Sequence, residues 1–200
     1  ADVIDFDELF ERILRHTGDR RRLLRGGARR VLLRHALPDA PESLGPRLQR
    51  LGSALLGPDD VRADDPELAE RYAAWWTALD AADAIDRGRM RIEVVRALAS
   101  DVAAWPQGEA LFAQGFDDLS PAQEELLRLV GERARVVVSL AYEAGRPPFA
   151  VLTDAVGRLA ERAGEIADLP VAASERHPDL IALERRFGDP DPAARCAASV

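Results

Sequence analysis

A short apolar run that meets an acidic turn and then a helix start constrains this chain more than any other stretch. It occupies residues 110–130, ALFAQGFDDLSPAQEELLRLV. The run ends at Gly115 and is followed by Asp117 and Asp118. Ser120 is a good N-cap, Pro121 suits the first helical position, and Gln123 stands where a capping box needs it. Downstream, RVVVSL at 135–140 is the clearest strand in the chain, dense in β-branched residues. Two strands joined by one helix make a βαβ unit, hence a parallel pair with a right-handed crossover. Ligands of α/β proteins meet the sheet at strand ends, which makes Asp117 and Asp118 the first acids to weigh. They have two readings. Acids just after a strand can hold magnesium. Acids just before a helix can also neutralise its N-terminus and shape the turn.

Much of the remainder reads as helix. Residues 2–4 suit a short strand, and Asp5 caps a helix with Phe6, Leu9, Phe10, Ile13 and Leu14 on one face. Gly26-Gly27 breaks the next segment, and a helix follows to Leu37. Leu44, Leu48, Leu51 and Leu55 have helical spacing, Pro66 opens a long helix through Trp75 and Trp76, and residues 89–104 form another. A helix over 148–163 and a short one over 178–187 precede a loose tail. The pattern predicts a helix-rich α/β chain with an α/β core over 1–17 and 108–170. An all-helical insertion would occupy 18–107, and residues 171–200 would hold the short helix and the tail. A sheet of so few strands is marginal alone, so a longer parent protein is expected to supply more.

Composition closes several doors. The chain has 200 residues, 47% of them hydrophobic, and a net charge of −8, which argues against a wholly basic nucleic-acid module. All 27 basic residues are arginine. A phosphate-binding loop ending in G-K-[ST] needs a lysine, as does a Schiff-base enzyme. Cys196 is the only cysteine, which leaves no internal disulfide and no cysteine-based zinc site. No apolar run reaches the length of a membrane span and the first residues lack a signal-peptide pattern, so a cytoplasmic location and no membrane partner are expected.

The other candidate residues each carry a functional and a plain reading. Residues 20–35 contain Arg20, Arg21, Arg22, Arg25, Arg29, Arg30 and Arg34 and no acid. Guanidinium pairs bidentately with phosphate, so the run suits DNA; it equally suits a solvated helix face. Trp75 and Trp76 suit base stacking, or a core or interface position. Adjacent helical residues point about 100° apart, so at most one of them faces fully inward. His16, His35 and His177 lack ligand spacing. No G-x-S-x-G elbow accompanies Ser120 or Ser139.

Residues 112–130 resemble the second motif of superfamily-one, UvrD-like helicases, a strand followed by D-E-F-Q-D-T-x-x-x-Q and a Leu-rich helix. Phe116 matches the motif's Phe, Asp118 its second Asp and Gln123 its final Gln, with Leu126 and Leu127 following. VIDFDELFERILRHTG at 3–18 looks like the family's T-F-H-x-L-x-x-R-L-L-R segment. IDRGRMRIEVVRAL at 85–98 is similar to its D-F-D-D-L stretch, and RVVVSL sits at its third-motif strand. The resemblance implies a partial RecA-like parallel sheet interrupted by the helical insertion.

The departures are chemical. At the Walker B position the metal-holding Asp is matched by Gln114, the water-activating Glu by Gly115, and the Gln after Phe116 by Asp117. The phosphate-loop lysine is absent. The degenerate helicase-like portion of AddB- and RecC-like helicase–nucleases, in the PD-(D/E)XK nuclease family, is the nearest likeness. It implies a non-catalytic scaffold of bacterial double-strand-break repair that holds DNA, a helicase or nuclease subunit, or other domains of its parent chain. No catalytic residue, cofactor or metal is expected in it. The alternative is a protein-interaction module without a nucleic-acid role, docking through Trp75 and Trp76.

Overall fold

The helix α1 (Phe6–His16) forms where the sequence signals it. Asp5 Oδ1 accepts the Glu8 backbone N–H at 2.7 Å, and Phe6, Leu9, Phe10, Ile13 and Leu14 are its buried residues. The computed structural model describes residues 2–105, 108–116 and 118–168. Asp117, His177, Cys196 and the expected helix and tail over 171–200 lie outside the described residues. The strand expected over 2–4 is not formed; those residues enter α1 without a ladder partner.

The next element is a strand, β1 (Arg22–Leu24), inside the arginine run. The helices α2 (Gly26–Ala36), α3 (Leu44–Ser53) and α4 (Pro66–Ala81) follow. The chain then makes β2 (Ala84–Asp86), which pairs in parallel with β1 in the register Arg22↔Ala84, Leu23↔Ile85 and Leu24↔Asp86. Residues 18–107 are therefore not all helix. Three-residue strands carry almost no local pattern, and their pairing partner lies far along the chain. What fixes them is burial: Ala84, Ile85 and Asp86 are all buried, and Leu24 joins the same core.

Helix α5 (Arg87–Ser100) starts directly from β2. It buries Met90, Ile92, Val94, Val95 and Leu98, too many directions for a surface helix with a single apolar stripe. It packs against α3 and α1, and against the later helix α6 (Pro121–Gly131). At the α3 crossing two glycines meet: a Cβ on Gly52 would lie 2.3 Å from the Gly88 Cα. A second part of the core gathers Leu24, Leu44, Leu48, Tyr72, Trp75 and Leu79 between α3, α4 and the β1–β2 pair.

The βαβ unit forms as the sequence predicts: β3 (Ala110–Gln114), α6, then β4 (Arg135–Ser139). β3 and β4 make a second two-stranded sheet. The Arg135 backbone N–H donates to the Glu109 carbonyl at 3.1 Å, which sets the two strand starts side by side, as a parallel pair requires. A 3₁₀ turn (Pro147–Leu152) leads into α7 (Thr153–Arg162). The fold is helix-rich α/β with short parallel two-stranded sheets. Among the described residues no helix is long and apolar enough to cross a membrane.

The chain divides into two compact units, one of Ala1–Ala113 with Leu119–Val138, the other of Gln114–Asp118 with Ser139–Val200. Residues 18–107 fall wholly within the first of these units. Within that unit α5 packs on α1 and α6, which lie on either side of it in sequence. In the second unit, Tyr142 and Phe149 meet edge to face at 6.5 Å, and Arg146 lies over Phe149 while pairing with Glu143 at 2.9 Å.

Candidate functional site

At the β3–α6 turn the strand end, the glycine and the helix start are all formed. Gln114 ends β3 and is exposed. Gly115 has φ +78°, a left-handed conformation that favours glycine, and it turns the chain out of the strand. Phe116 is half-buried and Asp118 exposed; Asp117 is outside the described residues. The Ser120 backbone N–H and hydroxyl both donate to Gln123 Oε1 at 2.8 Å, closing the capping box that opens α6. Among the described residues no three His, Cys, Asp or Glu side chains gather as a metal site.

The two tryptophans separate. Trp75 is fully buried, and its indole Nε1–H donates to Asp86 Oδ2 at 3.0 Å. It therefore offers no face to a base or partner. Trp76 is half-buried and covered by the Arg89 guanidinium, 4.8 Å from its ring centroid. Trp75 belongs to the core that α4 shares with α3 and the β1–β2 pair, and Trp76 lies under Arg89 of α5. Tyr72, one turn before Trp76, meets it edge to face at 5.5 Å. Burial, with the nearby Asp86 charge, pushes the Tyr72 hydroxyl's pKa up.

Asp86 is the group least signalled by local sequence pattern. It is 3% exposed and accepts three hydrogen bonds. Besides Trp75, Oδ2 takes Arg29 Nε at 2.9 Å, and Oδ1 takes the Arg89 backbone N–H at 3.0 Å, capping α5. A buried carboxylate is tolerable when it is paired and its lone pairs are filled, as here. The one available signal was its place as a capping residue three positions before Arg89, in the break between two helices.

The arginine run is split by these partners. Arg21 is held by Asp19 through Nε at 3.0 Å, by Glu93, and by Asp80 at 3.7 Å. Its pKa is raised chiefly by the Asp19 hydrogen bond, against the opposing effect of burial. Arg89 joins the same cluster through Glu93 at 2.7 Å and Asp80 at 2.8 Å. Arg29 is held by Asp86 and by the Gly45 carbonyl at 3.1 Å. Arg25 pairs with Glu11 at 2.7 Å and Arg34 with Glu42 at 2.8 Å, both at the surface. Arg20, Arg22 and Arg30 are exposed and have no carboxylate partner among the described residues.

The start of α2 runs against the ordinary preference. Arg25 is its N-cap and gives no side-chain cap bond, and the first turn has no acid. Cations at the positive end of a helix dipole are unfavourable by about 0.3–1 kcal/mol each. A local choice that opposes stability is expected where a chain has a task other than folding.

One surface cleft, about 150 Å³, is lined by Arg47, Asp65, Glu67 and Arg71 among others. Its charges pair internally, Arg47 with Asp65 at 3.0 Å and Arg71 with Glu67 at 2.6 Å, so no net field is left for a charged ligand.

Neither protein-family models nor curated proteins yield a match to this chain.

Proposed function

We propose that this chain is a non-catalytic, helicase-like scaffold domain of a bacterial double-strand-break repair helicase–nuclease, contributing to DNA or subunit binding. The observation that carries this reading is the state of the β3–α6 turn. Strand, left-handed glycine, capping box and following parallel strand are all present, while Gln114 and Gly115 stand where the helicase-like motif has its metal-holding Asp and water-activating Glu. With no lysine in the chain, the third ingredient of phosphoryl transfer is missing too. The unpaired surface arginines supply the reason to keep such a framework near DNA. The test is ATP hydrolysis and ATP-induced thermal shift of the purified chain, with and without magnesium and DNA. Neither is expected; turnover lost on Asp118→Ala would overturn the reading.

A second reading, a protein-interaction module, is favoured by Phe112. It projects from β3 with 70% of its surface exposed, on a sheet that has two strands among the described residues. Parallel strands ordinarily bury both faces. Sedimentation of the wild type and Phe112→Asp over a range of concentrations separates the two readings. Self-association lost in the variant, without any DNA affinity in the wild type, would place this reading first.

A further inference from the structure

We infer that the arginine run is two interleaved sets with different tasks, and that only Arg20, Arg22 and Arg30, with Arg25 and Arg34 able to join them, contact a polyphosphate backbone. This rests on the DNA-binding part of the function proposed above. Arg21 and Arg29 are excluded because their guanidinium groups are already engaged within the fold. Arg21 is claimed by Asp19, Glu93 and Asp80, and Arg29 by the buried Asp86 and the Gly45 carbonyl. Releasing Arg29 would leave the buried Asp86 carboxylate uncompensated, and releasing Arg21 would strip the partly buried Asp19 and Glu93 of a shared partner. Arg20, Arg22 and Arg30 face solvent with no carboxylate to displace among the described residues. Arg25 and Arg34 sit in exposed pairs with Glu11 and Glu42, which are weak enough to exchange for phosphate.

The chemistry of the ligand follows from what surrounds these arginines. Residues 20–36 contain no Phe, Tyr, Trp, Asn or Gln. Trp75 is buried and Trp76 is covered by Arg89, so neither supplies a stacking platform. Contacts of this kind position a backbone and do not read bases. Taken as phosphate contacts, these arginines make the surface sequence-blind, and its affinity is set by counterion release at about 0.9 of a logarithmic salt unit per duplex phosphate contact. Three to five arginines give a slope of log affinity against log salt of about −2.7 to −4.5. Between 50 and 200 mM salt, binding then weakens by at least about 40-fold.

The experiment is fluorescence anisotropy of the full 200-residue chain with two fluorescein-labelled 30-bp duplexes of unrelated sequence, across that salt range. Equal affinities for the two duplexes are expected, with the slope above. The triple variant Arg20→Gln, Arg22→Gln, Arg30→Gln is expected to make the slope shallower by about 2.7, and Arg30→Gln alone by about 0.9. Thermal melting confirms that both variants fold. Arg21→Gln is expected to lower the melting temperature and, below it, to leave the slope in place. Wild-type binding whose slope changes by less than about 1 in the triple variant overturns this division while leaving the DNA role standing. A strong preference for one duplex overturns the sequence-blind part. No wild-type binding at 50 mM salt overturns the DNA role itself, and this inference with it.

Discussion

Trp75 and Arg29 share one carboxylate oxygen, Asp86 Oδ2, at 3.0 and 2.9 Å. The residue that closes β2 thus ties α4 and α2 together, while its other oxygen caps α5. Asp86→Ala removes all three bonds and strands the Arg29 guanidinium in the interior. It is expected to cost about 3–5 kcal/mol, the range for breaking a buried pair by removing one partner. Asp86→Asn keeps an oxygen for the cap or for Trp75 and should cost less, roughly 1–3 kcal/mol. Urea denaturation of the two variants measures the difference, and equal losses would show that the charge on Asp86, which both variants remove, carries the whole effect and the retained oxygen none of it.

The glycine crossing of α3 and α5 is asymmetric. A methyl group on Gly52 would meet the Gly88 backbone at 2.3 Å, well inside contact, and backbone cannot swing aside as a side chain can. A methyl group on Gly88 finds its nearest atoms, the Gly52 Cα and the Leu48 carbonyl oxygen, at 3.5 Å. Gly52→Ala is expected to destabilise by about 1–3 kcal/mol through overpacking. Gly88→Ala should fall between neutral and a gain of about 1 kcal/mol, since alanine loses less backbone freedom in a helix. Melting temperatures of the two single variants are the measurement, and the reverse order would refute this crossing geometry.

Acid should loosen the β1 end of the molecule through Asp19. Burial raises the pKa of its carboxyl, but hydrogen bonds from the Arg21 side chain and backbone, with the charges of Arg21 and Arg15, outweigh it. The folded-state value is held below the ordinary one near 3.8. A depressed carboxyl adds stability in full above its unfolded pKa and loses it as pH falls through the folded value. The contribution is thus present at neutral pH and is withdrawn below about pH 4. Asp19→Asn removes it at every pH. Urea midpoints of wild type and variant should differ at pH 7 and converge toward pH 3. A constant gap would mean that Asp19 acts through geometry alone.

Local signals carried a good part of this fold. The Asp5 cap and the five apolar residues of α1, the capping box at Ser120 and Gln123, and the two strands flanking α6 are all written within a dozen residues of where they act. The strands β1 and β2 are not. Arg22–Leu24 sits inside a charge run that reads as a helix face, and it becomes a strand because Ala84–Asp86 lies beside it. The same distance hid the fate of the arginines. Arg29 reaches Asp86 and Arg21 reaches Glu93, partners that only the closed fold brings near. Trp75 read equally well as core or as a stacking residue until its indole proton found Asp86.

The pairing of Leu24 with Asp86 also means that the backbone leaves and returns to nearly the same point. Everything from Arg25 to Asp83 is a closed loop cinched at its neck, and Arg29 and Trp75 reach from inside that loop to the Asp86 knot. Joining such distant points costs chain entropy, which the buried contacts gathered at the neck must offset. A single peptide-bond cut in the 57–65 turn would therefore give two fragments. Each would still hold one strand of the neck and a share of the buried contacts.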